Sequence, residues 1–178
     1  DNEGFFYSRY EAPAEGKQFT GTNYYQKLYY HRLGDPQEKD ELIYERPDHK
    51  EWGFGGYVTD DGHYLIITIW KGTLHKNQIF YKDLTVADSP VVELLSGFDA
   101  EYDFIGNDND RFWIITDLDA PRRQVVGINL AKPDRSDWQQ VIGQSDHVLE
   151  QIQLVGHRLL ATYLKDVQSL VQVFDLEG

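Results

Sequence analysis

Apolar residues along this chain come in short bursts rich in Ile, Val, Tyr and Phe, and no sustained i, i+3, i+4 pattern indicates a helix. One burst, 64–70 (YLIITIW), is apolar almost throughout, which is typical of a strand buried on both faces. Two others, 101–105 (EYDFI) and 150–155 (EQIQLV), alternate polar with apolar residues, as strands with differing surroundings on their two faces do. Turn-forming sequences such as 60–62 (DDG) and 107–110 (NDND) separate the bursts. The pattern predicts an all-β fold: a sandwich, a barrel or a propeller.

An internal repeat distinguishes among these three folds. Bursts that end in threonine (YLIIT, FWIIT and LLAT) are each followed by a burst that ends in leucine (QIFYKDL, QVVGINL and LVQVFDL). The paired ends are Thr68 and Leu84, Thr116 and Leu130, and Thr162 and Leu176. The unit recurs every 46 to 48 residues, within the range of about 40 to 50 residues of a propeller blade. A sandwich needs no repeat of equal length, so the spacing favours a β-propeller of four-stranded antiparallel blades.

The repeat divides the chain into about four blades of a single, partial β-propeller domain. We expect an incomplete blade at 1–47, blades at 48–96 and 97–144, and a second incomplete blade at 145–178. The first copy, formed by FFYS and QKLYYHRL, lacks its opening strand, and the last stops where an outer strand would follow. Because the chain opens on Asp-Asn-Glu-Gly without an initiator methionine, we treat both ends as potential cuts within a longer protein.

Composition and charge exclude several classes of partner and site. The chain of 178 residues has 17 Lys and Arg against 30 Asp and Glu, and its formal net charge is −13. Nucleic acids and anionic membranes both bind through a positive face, so we expect neither as a partner. Cysteine is absent, which excludes disulfides, thiolate metal sites and a cysteine nucleophile. No apolar run approaches the roughly 20 residues of a membrane-spanning helix.

Residues with catalytic or metal-binding potential are sparse. None of the serines has the Gly-x-Ser-x-Gly setting of a hydrolase nucleophile. The six histidines form no metal-binding spacing, and we interpret them as exposed loop or turn residues. The stretch 107–110 lacks the glycine and the distant glutamate of an EF-type calcium loop, so we predict a hairpin turn there. The chain is therefore expected to hold no metal and no cofactor.

Two further features allow a chemical and a structural interpretation. The carboxylates Glu101, Asp103 and Glu150 on inner strands are candidates for the acid and base of a propeller glycosidase, although solvation of the strand surface is the favoured role. The glycines at 53, 55 and 56 weakly resemble a phosphate loop, but no helix follows them. We predict instead that these glycines allow a close approach within the propeller.

Several longer strings carry a family resemblance. They are 4–10 (GFFYSRY), 22–34 (TNYYQKLYYHRLG), 55–73 (GGYVTDDGHYLIITIWKGT), 77–84 (NQIFYKDL) and 148–167 (VLEQIQLVGHRLLATYLKDV). In this order and spacing they resemble the propeller of the prolyl oligopeptidases, also called prolyl endopeptidases, over essentially the whole chain. The K-L-Y-Y-H string and the D-D-G-x-Y hairpin are specific, whereas a generic propeller would share only the repeat.

The resemblance implies a fold and an activity for a larger parent protein. In this family a seven-bladed propeller caps an α/β-hydrolase domain whose Ser-Asp-His triad hydrolyses short peptides after proline. The propeller restricts access to the buried site, so the expected partners are short proline-containing peptides and the hydrolase domain. That domain and its triad are not part of this chain, so we expect no catalytic residue here and no activity of the chain alone. The expected compartment is the cytoplasm, with the bacterial periplasm as the alternative.

The resemblance also implies two residues that line the substrate pocket. In GFFY this residue is Phe6, with Phe5 as the alternative in register, and in VLEQIQLV it is Leu154. The family often has a cysteine at the second position, which Leu154 replaces with an apolar side chain that carries no thiol. Packing between blades is an equally weighted role for Phe6 and Leu154.

A competing hypothesis is a non-enzymatic propeller that binds proteins or carbohydrates, because a fold does not fix a function. For the chain alone we also expect self-association or low stability, since a partial propeller exposes blade faces and unpaired strand edges.

Overall fold

The computed structural model describes residues 3–12, 16 and 23–178. The described residues form fourteen β-strands in four antiparallel sheets, with two short 3₁₀ turns and no α-helix among them. They group into two compact units, Asp1–Ser96 and Gly97–Gly178. The prediction of an all-β fold is confirmed. Within the predicted blade at 1–47, residues 1, 2, 13–15 and 17–22 lie outside the described part.

The first unit contains two sheets, each an antiparallel meander of strands that follow one another in the chain. Sheet 1 consists, in spatial order, of β1 (Gly4–Arg9), β2 (Lys27–Arg32) and β3 (Glu41–Glu45). Sheet 2 consists of β4 (Trp52–Val58), β5 (Tyr64–Lys71), β6 (Gln78–Asp83) and β7 (Val91–Leu95). A 3₁₀ turn at Gln37–Lys39 precedes β3.

The second unit has the same organisation. Sheet 3 consists, in spatial order, of β8 (Tyr102–Asp108), β9 (Arg111–Thr116), β10 (Gln124–Asn129) and β11 (Gln139–Ile142). Sheet 4 consists of β12 (Val148–Val155), β13 (Arg158–Lys165) and β14 (Gln168–Asp175). The second 3₁₀ turn, Arg135–Asp137, precedes β11.

Burial explains why the sequence of strand β5 is apolar almost throughout. Leu65, Ile66, Ile67 and Ile69 are all at most 2% exposed. Because successive side chains of a strand point to opposite faces, this burial covers both faces of β5. Complete burial of each such side chain stabilises the fold by about 1.5–3 kcal/mol. The predicted burial of this strand on both faces is confirmed.

Sheets 1 and 2 are joined around Phe54 of β4. The Tyr44 ring meets the Phe54 ring edge-on at 5.3 Å between centroids, and meets Phe80 in the same way at 5.9 Å. The Ser8 hydroxyl donates a hydrogen bond to the Phe54 carbonyl, and the Phe54 N–H donates to Oε1 of Gln26 at 2.6 Å. The ring contacts, and the hydrogen bonds between the Ser8 and Gln26 side chains and the Phe54 backbone, hold β4 against sheet 1.

The core of the second unit lies between sheets 3 and 4. Its buried members come from β9 to β13 and the residues next to them: Trp113, Ile115, Val125, Val141, Ile142, Leu149, Leu159, Ala161 and Tyr163. The Trp113 indole N–H donates to the Leu176 carbonyl at 3.3 Å, so this large buried side chain leaves no unpaired donor.

The glycines at 53 and 55 of β4 allow the close approach of a side chain from the neighbouring strand. A Cβ placed on Gly53 would lie 2.3 Å from the indole of Trp70, and one on Gly55 would lie 3.4 Å from the same indole. The close neighbour of both glycines is thus a tryptophan side chain from the adjacent strand β5. A methyl group at residue 53 would therefore force the Trp70 side chain to shift.

The turn at 107–110 is a hairpin, as predicted, and joins β8 to β9. Asn109 adopts a positive φ of 48°, which asparagine tolerates better than most residues. The side-chain amide of Asn109 donates to Asp108 at 2.9 Å, and that of Asn107 donates to the Asn109 carbonyl at 3.2 Å. These polar groups are used to stabilise the turn.

Candidate functional site

A cleft of about 870 Å³ lies in the first unit, between sheets 1 and 2. It opens where β1 and β3 begin and where β2, β4 and β6 end. Most of its wall is aromatic or apolar. The residues that line it include Phe5, Phe6, Tyr30, Glu41, Gly56, Tyr57 and Lys82.

Phe6 forms one wall of the cleft. The β1–β2 register places Phe6 opposite Tyr30, and their rings lie 5.0 Å apart. A Cβ placed on Gly56 would lie 3.3 Å from the Phe6 Cβ and 3.2 Å from Cδ1 of Leu28. Gly56 therefore leaves space beside Phe6, which is half-buried. The side chain contacts its neighbours and still borders the cleft.

Phe5, the alternative in register, lies on the opposite face of β1. Its ring is 49% exposed and contacts the rings of Tyr7 at 5.8 Å and His31 at 5.1 Å between centroids. Phe5 also borders the cleft, because the cleft lies at the end of the sheet where β1 begins. Neither residue's role in substrate binding is tested by this placement, so both remain predictions.

Tyr57 and Glu41 border the cleft and were missed by the sequence reasoning. Tyr57 is 53% exposed, and its hydroxyl donates to Oδ1 of Asp60 at 3.1 Å. Burial and this hydrogen bond raise the pKa of Tyr57, so the hydroxyl remains a donor at neutral pH. Glu41 is the first residue of β3 and is exposed. In β4 and β3 the alternation of side chains directs both residues to the cleft rim.

Lys82 is the other charged residue of the lining. Its ammonium donates a hydrogen bond to the carbonyl of Ser89, in the segment between β6 and β7. This bond holds the ammonium toward that segment.

A hydrogen-bonded network ties the three strands of sheet 1 together. Oδ1 of Asp40 lies 2.7 Å from Nδ1 of His31 on β2, and Oδ2 accepts a hydrogen bond from the Tyr7 hydroxyl on β1. The Gln37 amide donates to the same hydroxyl at 3.2 Å. The Asp40 side chain is only 2% exposed. His31 is thus a partly buried strand residue, which corrects its interpretation as an exposed loop histidine.

This network gives a pH-dependent prediction. The hydrogen bonds from Tyr7 and His31 hold the pKa of Asp40 below its ordinary value of 3.8. A depressed carboxyl pKa contributes stability that is present above the unfolded-state value and is lost as the pH falls through the folded-state value. Thermal unfolding of the wild type and an Asp40→Asn variant should therefore differ most above pH ~5, and the difference should shrink below pH ~4.

Asp137→Asn is the control, because Asp137 is an exposed residue of a 3₁₀ turn in the second unit. It should change the unfolding temperature little at either pH. A wild-type advantage over Asp40→Asn that is constant from pH 7 to pH 3 would contradict the role assigned to the network.

Leu154 lies in the second unit, on β12, and packs against the core there. A Cβ placed on Gly106 would lie 2.7 Å from Cδ2 of Leu154, and Leu154 contacts the cluster that contains Trp113. The side chain is half-buried in this position. These contacts account for an apolar residue at 154, and its additional role in a substrate pocket remains a prediction.

Two of the three carboxylates considered for a glycosidase lie beside an arginine. Arg123 Nη2 donates to Oε2 of Glu101 at 2.8 Å, and Nη1 lies 3.9 Å from Oδ2 of Asp103. Glu150 is exposed at the bulge of β12. The Glu101–Asp103–Arg123 cluster is an ion-pair arrangement.

Residues 3–12, 16 and 23–178 contain neither a metal site nor a membrane-spanning helix. No group of three or more His, Cys, Asp or Glu residues in this range could hold a metal ion. No helix among the same residues is long and apolar enough to span a membrane.

Comparisons with known proteins agree with the fold. The family model for the prolyl oligopeptidase N-terminal β-propeller domain matches residues 1–178. A prolyl endopeptidase from Elizabethkingia meningoseptica is 34% identical over 177 residues, which are 99% of this chain and 25% of that protein. Prolyl oligopeptidase A from Amanita bisporigera is 32% identical, over 100% of this chain and 25% of the relative. The chain thus spans about a quarter of the length of these relatives.

Solved structures give the same result. A structure from an analysis of two prolyl endopeptidases superimposes with a TM-score of 0.87 at 31% identity, covering 99% of this chain and 25% of that one. Prolyl oligopeptidase B from Galerina marginata, bound to a 35mer hydrolysis and macrocyclization substrate, also gives a TM-score of 0.87, at 27% identity. The propeller prediction is confirmed, with the sheets of this chain forming part of such a domain. The chain belongs to the prolyl oligopeptidase family and matches its N-terminal β-propeller domain.

Proposed function

We propose that this chain is the substrate-gating part of the propeller of a serine endopeptidase that cleaves short peptides after proline. The observation that carries the proposal is the match of residues 1–178 to the family's propeller domain. Relatives named prolyl endopeptidase and prolyl oligopeptidase at 34% and 32% identity support it. None of the relatives reported above favours a non-enzymatic scaffold or a glycosidase.

The structure of the first unit suggests how such a propeller takes part in substrate binding. Its sheets are cross-linked by buried aromatic contacts around Phe54, so the cleft walls are rigid. A cleft of about 870 Å³ accommodates a few residues of an extended peptide, but no folded domain. Phe6 would contact an apolar part of the peptide, and Leu154 would do the same in the second unit.

The chemistry itself would come from an α/β-hydrolase domain. Acyl transfer needs a nucleophile, a base that activates it and donors that stabilise the oxyanion. No serine of this chain has the required setting, so the triad would lie in that partner domain. In this proposal the propeller admits and positions peptides, and the hydrolase domain cleaves them. The cytoplasm or periplasm remains the predicted compartment.

The test uses the full-length protein that carries this chain. Two chromogenic peptides that differ only in proline or alanine before the scissile bond should be offered, with and without a serine-reactive inhibitor such as phenylmethylsulfonyl fluoride. We expect release of the chromophore from the proline peptide only, and its loss after inhibitor treatment. Equal rates on both peptides, or resistance to every serine-reactive reagent, would disprove the proposed function.

A further inference from the structure

We propose that the cleft of the first unit selects peptides with a lysine or arginine side chain, and that Glu41 is the specificity-determining residue. The inference rests on the proposed function, because the ligand is taken to be a peptide substrate. The inference adds to the proposed function a preference for positively charged substrate side chains and the residue that provides this preference.

The aromatic wall of the cleft suits a cation. Phe5, Phe6, Tyr30 and Tyr57 are all among the residues that line it. An ammonium or guanidinium within about 6 Å of a ring centroid is attracted by the negative charge on the ring face. The aliphatic stem of lysine or arginine also packs well on apolar surface while its head remains near water. The cleft therefore offers favourable surroundings to both parts of a basic side chain.

The first unit already uses this interaction elsewhere. The Arg9 guanidinium lies 4.2 Å from the centroid of the Tyr29 ring, and the Lys50 ammonium lies 4.6 Å from that of Tyr24. Each pairs a basic side chain with a tyrosine at the surface of the same unit. A substrate side chain over the Tyr57 ring would repeat this geometry in the cleft.

Glu41 supplies a charge that is not otherwise used. Among the described residues its carboxylate has no ion-pair or hydrogen-bond partner. Most acidic side chains near sheet 1 have such partners, for example Glu45 with Lys27 at 3.2 Å and Asp35 with Lys39 at 3.5 Å. The unpaired carboxylate at the rim thus remains available to a cation from the ligand.

The other charged residue that lines the cleft is Lys82, whose ammonium donates a hydrogen bond to the Ser89 carbonyl between β6 and β7. Asp60 adds a second carboxylate beside the Tyr57 hydroxyl. The net charge of −13 also favours approach of a positively charged peptide. Charge complementarity therefore favours a basic side chain over an apolar one, which would desolvate Glu41 without compensation.

The experiment measures kcat/KM of the full-length protein on two fluorogenic proline peptides. They differ at one position before the proline, which carries lysine in one peptide and norleucine, of similar shape and no charge, in the other. The pair is synthesised for each of three positions before the proline. We expect the wild type to prefer lysine at one of these positions by about fivefold, the size of an exposed ion pair.

Three variants assign the preference to the cleft. Glu41→Gln should abolish it by raising KM for the lysine peptide, and kcat/KM for the norleucine peptide should rise slightly because a neutral side chain costs less to desolvate. Glu38→Gln is the matched control, because Glu38 is equally exposed, lies three residues before Glu41 and does not line the cleft. It should retain the preference. Tyr57→Leu should reduce the preference while keeping an apolar side chain at that position.

The outcomes separate the two proposals. Equal kcat/KM for lysine and norleucine at all three positions in the wild type overturns the inference while the proposed function stands. A preference that Glu41→Gln leaves unchanged, or that Glu38→Gln abolishes equally, also overturns it. Hydrolysis of neither peptide overturns the proposed function and the inference together.

Discussion

The 178-residue chain on its own is expected to release no product from a proline-containing chromogenic peptide. Serine peptidases owe their rate to a nucleophile with its base and to an oxyanion hole, and loss of the triad alone lowers kcat by about a millionfold. The chain has no serine in the Gly-x-Ser-x-Gly setting that would provide the nucleophile. The expected result is therefore a rate equal to that of the buffer.

The measurement compares the chain with the full-length protein at equal molar concentration. Cleavage by the full-length protein shows that peptide and buffer are suitable. Hydrolysis by the chain that a serine-reactive inhibitor abolishes would contradict the assignment of the catalytic groups to another domain.

The same preparation should self-associate in a sedimentation experiment. The face of sheet 4 that points away from the second unit's core carries exposed apolar residues, among them Val171 and Val173. Strands β1 and β14 are edge strands of their sheets, and unpaired edges invite pairing with another copy. A monodisperse monomer that melts cooperatively would contradict this expectation.

Replacing Trp113 with alanine should produce the largest loss of stability of any single substitution considered for the chain. The indole is 1% exposed and lies in the core between sheets 3 and 4. Truncating a buried tryptophan removes its apolar contacts and leaves a cavity, which together lower the free energy of unfolding by about 3–5 kcal/mol. The variant would also leave the Leu176 carbonyl without the indole donor that lies 3.3 Å away.

Trp138→Ala is the matched control within the same unit. Trp138 is only half-buried, beside the 3₁₀ turn, and its indole donates to the Pro133 carbonyl at 2.9 Å. Thermal unfolding followed by circular dichroism at low protein concentration should show a much smaller change than for Trp113→Ala. Equal losses for the two variants would show that the core between sheets 3 and 4 is not where the second unit derives its stability.

The strands could be predicted from sequence because burial on both faces leaves a continuous apolar signature. Strand β5 is the clearest case: its run of isoleucines and Leu65 needs no knowledge of what packs on either side. The equal spacing of the apolar bursts then indicated a repeated sheet. In the structure, four separate meanders of three or four strands follow one another along the chain.

Contacts that depend on register between strands could not be predicted in the same way. Asp40 reaches His31 and Tyr7 only because β1, β2 and β3 align as they do, and these residues are far apart in the sequence. The reason for a glycine at 53 is equally non-local, because Trp70 lies opposite it on β5.

The cleft was predicted only in part. Family resemblance pointed to Phe6, which does border it, and to Leu154, whose contacts belong to the core of the other unit. Tyr57 and Glu41 gave no signal, because a tyrosine beside two glycines and a glutamate at a strand start are unremarkable in sequence. Both residues are of interest only because they line a cleft between two sheets, and no local sequence pattern shows which residues will line it.

The most direct test of the gating proposal compares one cleavage sequence in two settings. The full-length protein is offered a proline-containing segment as a short peptide, and the same segment in a surface loop of a folded protein that an unrelated protease cleaves readily. Mass spectrometry of the products should show cleavage after proline in the peptide and an intact loop. Cleavage of the loop at a rate comparable to that of the peptide, or no cleavage after proline in either, would contradict the account.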